Sequence, residues 1–229
     1  MLTFNISDHI SKSFSIDIQH QVYNSEIVAF FGPSGTGKSS ILKRIVGTEI
    51  AKKSKIIVNN DTWQDNSYFL PLIKRSLGYI PQKALLFPHL TVEKNLQYNK
   101  ASNNKHIEEL INMFEISQLL KSYPAQLSGG QLQKVAIAQA LSSNPEVLIL
   151  DESFSGIDFE SKLVLMKKLK DYIKKNQIIT LLSTHDFLEI SVFTDNVVII
   201  NNGRIKKSMS SQEFIDEYSK RISFLQKEF

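Results

Sequence analysis

A chain of 229 residues, 42% of them apolar, can bury one sizeable core, with room for an inserted subdomain. Lys and Arg number 27 against 23 Asp and Glu, and this charge of +4 suits phosphate ligands or an anionic membrane surface without demanding nucleic acid. The absence of cysteine excludes a disulfide scaffold, thiol catalysis and cysteine-ligated zinc.

The N-terminal residues alternate: Leu2, Phe4 and Ile6, then Phe14, Ile16 and Ile18. That is the period of half-buried strands, so no signal peptide is expected. No segment approaches the ~18 apolar residues of a spanning helix, so the chain is expected to be soluble or held at a membrane by something else.

Ile27–Phe31 reads as a buried strand running into GPSGTGKSS, and a helix is expected from about Ser39. Gly32, Gly37, Lys38 and Ser39 fit G-x-x-x-x-G-K-[ST], the phosphate-binding P-loop. Glycines at 32, 35 and 37 let backbone N–H groups turn inward around a polyphosphate, with Pro33, Ser34, Thr36 and Ser40 completing the loop. The helix start offers its positive end to the same anion. Lys38 is expected to reach the β- and γ-phosphates and Ser39 to ligate Mg²⁺.

Ile41, Leu42, Ile45 and Val46 then mark an apolar helix face, closed by Gly47 as a C-cap. Short strands follow at Ile56–Val58 and Leu77–Ile80, separated by an Asn59-Asn60-Asp61 turn. From 85 to 145 the period becomes helical. Ser128, Gly129 and Gly130, within Leu127–Gln131 (LSGGQ), stand at a second helix N-terminus, and Pro145 ends that helical run.

Val147–Leu150 is an uninterrupted apolar run, as in a parallel strand covered on both faces. Asp151 and Glu152 lie at its carboxyl end, where open α/β sheets bind ligands. Asp151 is expected to hold Mg²⁺ directly or through water. Glu152, pointing elsewhere, can polarise an attacking water. Gln82 and His185 each follow a strand and are further candidates at that edge. A helix over 160–175, a strand at Ile178–Leu182, a hairpin turning at Asn201–Gly203 and an amphipathic helix over 211–229 complete the chain. The last carries Phe214, Tyr218, Ile222, Leu225 and Phe229 on one stripe, read as docked on its own core. The elements predict an α/β fold: a P-loop NTPase core over 1–84 and 146–229, with a mixed, mostly parallel sheet, an N-terminal antiparallel part, and a helical insertion over 85–145.

The order GPSGTGKSS, GYIPQ, LSGGQ, VLILDE, SGID, STHD resembles the nucleotide-binding subunit of ATP-binding cassette (ABC) transporters over nearly the whole chain. The resemblance implies an ATPase using ATP and Mg²⁺ in a head-to-tail homodimer or paired cassette. Each ATP would then lie between one subunit's P-loop and the other's Ser128, Gly129, Gly130 and Gln131. It implies that Gln82 links Mg²⁺ to the membrane partner, that His185 is the switch histidine, and that Asp158 belongs to the D-loop Ser155–Asp158. An upstream aromatic stacks on adenine in the family, and Phe14 is the candidate here. Implied partners are transmembrane permease subunits received by the helical insertion and, indirectly, a solute-binding protein. Nucleic acid is not expected, and the implied place is the cytoplasmic face of the membrane.

The segment after Gln82 is similar to importers of molybdate, tungstate or sulfate, with the molybdate type slightly favoured by the short N-terminus. The alternatives are a soluble ABC ATPase without a transporter, or an exporter subunit. Ser153 stands where the family has proline, and Lys134 and Gln139 where basic residues, usually arginines, follow LSGGQ. The chain is expected to lack the C-terminal regulatory domain of many importer subunits.

Overall fold

Alternating and uninterrupted apolar segments sort the strands into two sheets. The computed structural model describes residues 1–11, 13–98 and 103–228, with the side chains of 221–228 left aside. Strand β1 (Leu2–Ser11) turns Leu2, Phe4 and Ile6 inward and Asn5 and Ser7 to solvent, and pairs antiparallel with β2 (Phe14–Val22). Strand β3 (Ile27–Phe31) is buried on both faces and leads through the glycine loop into α1 (Lys38–Val46).

Helix α1 ends where the sequence places its stop. Gly47 is left-handed (φ 95°) and its N–H bonds the Lys43 carbonyl. The Arg75 guanidinium closes two further carbonyls, Ile45 (3.1 Å) and Val46 (2.7 Å), and a Cβ on residue 47 would strike it. Held against the rings of Trp63 and Phe69, this buried cation is lowered by desolvation to about 10.

Strands β4 (Lys53–Val58) and β5 (Asp61–Gln64) complete an antiparallel sheet ordered β2-β1-β4-β5. Asn59 and Asn60, both at positive φ, make the β4–β5 turn. Strand β6 (Leu77–Ile80) joins β3 in the second sheet as an edge strand, followed by α2 (Val92–Leu96), α3 (Asn104–Phe114) and α4 (Gly129–Leu141). Next come β7 (Val147–Asp151), α5 (Phe159–Lys175), β8 (Ile179–Thr184), α6 (Phe187–Phe193), β9 (Asn196–Asn201), β10 (Arg204–Ser210) and α7 (Ser211–Glu228). The order is β10-β9-β3-β8-β7-β6, parallel except for β10 against β9.

The central strands feed two cores. Val147, Ile149, Ile179 and Leu181 join α1 and the antiparallel sheet in one cluster. Leu148, Leu150 and Leu182 join the helical residues Leu110, Phe114, Val135 and Ile137 in the other. Consecutive apolar residues therefore pack to opposite sides of a sheet covered on both faces. A smaller aromatic cluster seats α7, with Phe214 against Phe31 at a ring separation of 4.9 Å and Tyr218 beside them. The stripe predicted for this helix docks at those two positions; the side chains of Ile222, Leu225 and Phe229 lie outside the described residues.

Candidate functional site

The parallel strands bring their carboxyl ends to one edge, with Phe31 beside Thr184, Asp151 beside Ser183 and Ile80 beside Leu150. At that edge a cleft of about 380 Å³ is lined by Phe14, Ser34, Gly35, Gly37, Lys38, Ser39, Ser40, Gln82 and Glu152. Residues drawn from β2, the glycine loop, the segment after β6 and the segment after β7 therefore converge as the motif order predicts.

The loop is held open by close backbone contacts. A Cβ on Gly32 would sit 2.6 Å from the Ile200 carbonyl oxygen, so only glycine lets β3 pass β9 here. Gly37, at φ 101°, lies under the Phe14 ring, whose Cζ would stand 2.6 Å from an added Cβ. Thr36 donates its hydroxyl to the Pro33 carbonyl (2.9 Å) and so folds the loop on itself. Lys38 is buried, and its ammonium donates to the carbonyls of Gly32 (2.7 Å) and Pro33 (2.9 Å). Burial holds the Lys38 pKa below its ordinary value, against the opposing charges of Glu152 and Asp151.

Helix α1 starts at Gly37 with no side-chain cap, whereas α2 to α6 start under Thr91, Asn103, Ser128, Asp158 and Asp186. Its first N–H groups have no capping side chain, beside a cation whose two hydrogen-bond partners are neutral carbonyls. Both features fit a phosphate group.

The carboxylates divide their work by backbone geometry. Asp151 is buried and accepts from Ser39 (2.7 Å) and from Ser183 through the same Oδ1. Glu152, the next residue, is left-handed at φ 49°, which turns its side chain off the strand and into the cleft. Its N–H is fixed by the Ser183 carbonyl and hydroxyl, each at 3.1 Å. Gln82 Nε2 donates to Glu152 Oε2 (3.0 Å), and His185 Nδ1 stands 3.7 Å from Oε1. Nothing in the sequence marks Ser183 beyond a polar residue closing an apolar strand, yet it touches both acids. Among the described residues no group of three or more His, Asp or Glu could hold an ion alone. The oxygens of Ser39, Asp151 and Gln82 are of the kind a hard divalent cation takes.

Ser128, Gly129, Gly130 and Gln131 are not on this cleft. Ser128 caps α4 by accepting from the Gln131 N–H (3.3 Å), and Gln131 returns the contact to the Ser128 N–H (3.0 Å). The two glycines face the 155–158 turn, where added Cβ atoms would lie 3.9 and 3.8 Å from the Gly156 carbonyl oxygen. Asp158 caps α5 beside them, so the LSGGQ segment and the D-loop form one exposed surface apart from the glycine loop.

The three departures from the family pattern are accommodated. The buried Ser153 hydroxyl donates to the Ile80 carbonyl (3.1 Å) and ties the Glu152 segment to the strand that delivers Gln82. Gln139 reaches the Asn95 Oδ1 (3.2 Å), and Asn95 in turn clamps the backbone of Phe87, Leu90 and Thr91. Lys134 lies near the carboxylates of Glu115 and Asp158 and helps hold both acids below their ordinary pKa, although hydrogen bonds are the larger cause in each.

A central parallel sheet with a glycine loop between β3 and α1, and an Asp-Glu pair at the end of β7, defines a P-loop nucleotide-binding protein. The family described as ABC transporter matches residues 16–155, and the chain belongs to that family. It is similar to the Fe(3+) ions import ATP-binding protein FbpC 2 of Pectobacterium atrosepticum, with 36% identity over 88% of this chain and 61% of the relative. It is also similar to the molybdenum import ATP-binding protein ModC 1 of Azotobacter vinelandii, with 34% identity over 88% and 58%. The chain thus spans about 60% of the length of these relatives. Among solved structures, a dimeric ATP-binding cassette in a post-hydrolysis state with ADP and Pi shares the fold at a TM-score of 0.80. Its identity is 24%, over 92% of this chain and 99% of that one.

Proposed function

We propose that this chain binds Mg-ATP and hydrolyses it as the nucleotide-binding subunit of an ABC importer. The observation that carries this reading is the cleft itself, where an uncapped helix start, a buried lysine, Glu152 and a serine bonded to the buried Asp151 face one volume. Lys38 and the N–H groups at the start of α1 receive the β- and γ-phosphates. Ser39, Asp151 and Gln82 would hold a magnesium ion, which would neutralise phosphate charge. Phe14 stacks on the base. Glu152, braced by Gln82 and beside His185, draws the proton from the attacking water.

The site is completed by a second copy. Ser128, Gly129, Gly130, Gln131 and Asp158 stand together on a surface away from the chain's own cleft, so they would meet the γ-phosphate held by the neighbour. Closure then depends on an intact γ-phosphate, and hydrolysis releases it. The dimeric cassette that shares the fold supports this arrangement. The roles of the relatives in iron and molybdenum import favour uptake, with an oxyanion such as molybdate as cargo, through permease subunits received by the helical segment 85–145. Among the described residues no helix is long and apolar enough to cross a membrane; in this reading the permease supplies the path and this chain works at its cytoplasmic face.

Glu152→Gln tests the assignment. Loss of a general base lowers turnover by about 10² to 10⁴-fold, so steady-state hydrolysis should collapse while ATP affinity stays within about twofold of the parent. The stalled, ATP-loaded chain should elute as a dimer on gel filtration. Hydrolysis at the parent rate removes Glu152 from the mechanism.

A further inference from the structure

The cleft leaves one buried charged cluster unused. Lys162, on the second turn of α5, is buried, and its ammonium makes two contacts of 2.5 Å, to Asp186 Oδ2 and to Glu189 Oε1. Glu189 is buried too, while Asp186 is partly open to solvent. Burial raises the pKa of Glu189, although Lys162 and a hydrogen bond from Thr184 oppose the shift. For Lys162 burial is the largest single effect and acts downward, but the bonds to the two acids outweigh it and the net shift is up.

These acids flank the switch histidine. Asp186 follows His185 and caps α6, accepting from the Leu188 N–H (2.8 Å), and its own N–H donates to Thr184 Oγ1 (2.9 Å). The backbone on both sides of His185 is therefore tied together by the bond from Asp186 to Thr184, and the Asp186 carboxylate ties it to Lys162. The imidazole itself is 62% exposed and only within 3.7 Å of Glu152, so its place is set by that backbone. Lys162 sits one turn after Asp158, the cap that starts α5 from the surface offered to a second copy.

We propose that Lys162 is a positioning residue, locking the start of α5 to the His185 segment so that the exposed Ser155–Asp158 turn and the histidine move as one body. This rests on the reading of His185 as part of an ATPase site. Seating of a second copy against the turn would be transmitted through one buried ammonium to the imidazole, with no contact between Lys162 and nucleotide.

The test compares Lys162→Met, which keeps the stem and removes the charge, with Lys162→Arg, which keeps the charge. In the Met variant kcat for ATP should fall about tenfold while KM changes less than about twofold. Arg should restore at least half of the turnover. Unpairing two carboxylates also costs stability, so the double variant Lys162→Met/Glu189→Leu separates the two effects by replacing the buried pair with apolar groups. Recovery of the melting temperature with turnover still depressed supports a positioning role, and recovery of both overturns it. The His185 ring resonance in nucleotide-free protein gives a readout that needs no turnover: it should shift or broaden with Met and return with Arg. An unchanged resonance in all variants overturns the inference. A parent chain without ATPase activity counts instead against the proposed function, and the resonance still decides this point.

Discussion

Two helices of this chain begin on glycine-rich segments, and they meet solvent in opposite ways. Helix α1 has no side-chain cap, and its first turn holds a buried lysine bonded to two carbonyls. Helix α4 is capped twice over, by Ser128 and by Gln131 reaching back, and its glycines face outward beside the Ser155–Asp158 turn. The first end has no side chain to close it. The second is satisfied in the free chain and keeps its remaining N–H groups for something outside it. One sequence feature thus leaves an uncapped helix end in one place and a capped, presented surface in the other, and the difference is set by which side chains close the helix.

The comparison breaks first at Gly130. A Cβ there would sit 3.8 Å from Gly156 and Ile157 atoms, ordinary contact distances, so Gly130→Asp fits the fold. An acid in the first turn also agrees with the helix dipole. The chain should fold at parent stability and bind ATP at its own loop unchanged. Facing a neighbour's γ-phosphate, however, the new carboxylate opposes like charge at a cost of several kcal/mol, so hydrolysis should drop about a hundredfold or more. Parent-level turnover in a steady-state assay would mean that α4 never meets the nucleotide.

Lys38→Ala acts on the other end and should show a smaller effect of a different kind. A charged hydrogen bond contributes about 1.5–3 kcal/mol, so equilibrium ATP titration should show binding weakened by roughly 10- to 100-fold. Because the ammonium is half of what makes the α1 end attractive to phosphate, the loss should appear in Kd of the isolated chain, where Gly130→Asp shows none. Equal effects of both variants on Kd would erase the distinction between the two helix ends.

How much of this was legible before folding follows the range of each signal. The strand, glycine loop and helix at 27–46 are local, and so are the apolar runs of β7 and β8 and the C-cap at Gly47. Each lies within a few residues of the sequence that encodes it, and each stands close to where the pattern puts it, with α1 starting at Lys38 instead of Ser39 and β8 running Ile179–Thr184 instead of Ile178–Leu182. Strand β10 was visible only at Arg204 and Ile205, because a bulge between Ile205 and Lys207 breaks its alternation before it reaches Ser210. The four residues of β5 and the two turns of α6 are too short to show a period.

What stayed hidden is the pairing of distant polar groups. Ser183 meets Asp151 across adjacent strands, Ser153 meets Ile80, and Lys162 meets Asp186 and Glu189 across two helices. A hydroxyl or an ammonium carries no mark of its partner in the linear sequence. Phe14 shows the boundary well: its type and approximate place were readable, but its contact with Gly37 depends on how the antiparallel sheet leans over the loop.

Ser128→Ala gives the smallest effect and sharpens the contrast most directly. Removing an N-cap hydroxyl costs about 1 kcal/mol, which for a chain of this size lowers the melting temperature by roughly 2–4 °C. The loss should be present without nucleotide, because the Ser128–Gln131 cap is already closed in the free chain. Helix α1 has no such cap to lose, so its end should contribute stability only when phosphate is bound, and ATP should raise the melting temperature of the parent and of Ser128→Ala by the same increment. Thermal unfolding of the two proteins, dilute enough that both remain monomeric with ATP, measures both quantities at once. If the increment shrinks in Ser128→Ala, the two helix ends share a ligand even within one chain, and α4 would have to be assigned to the chain's own cleft.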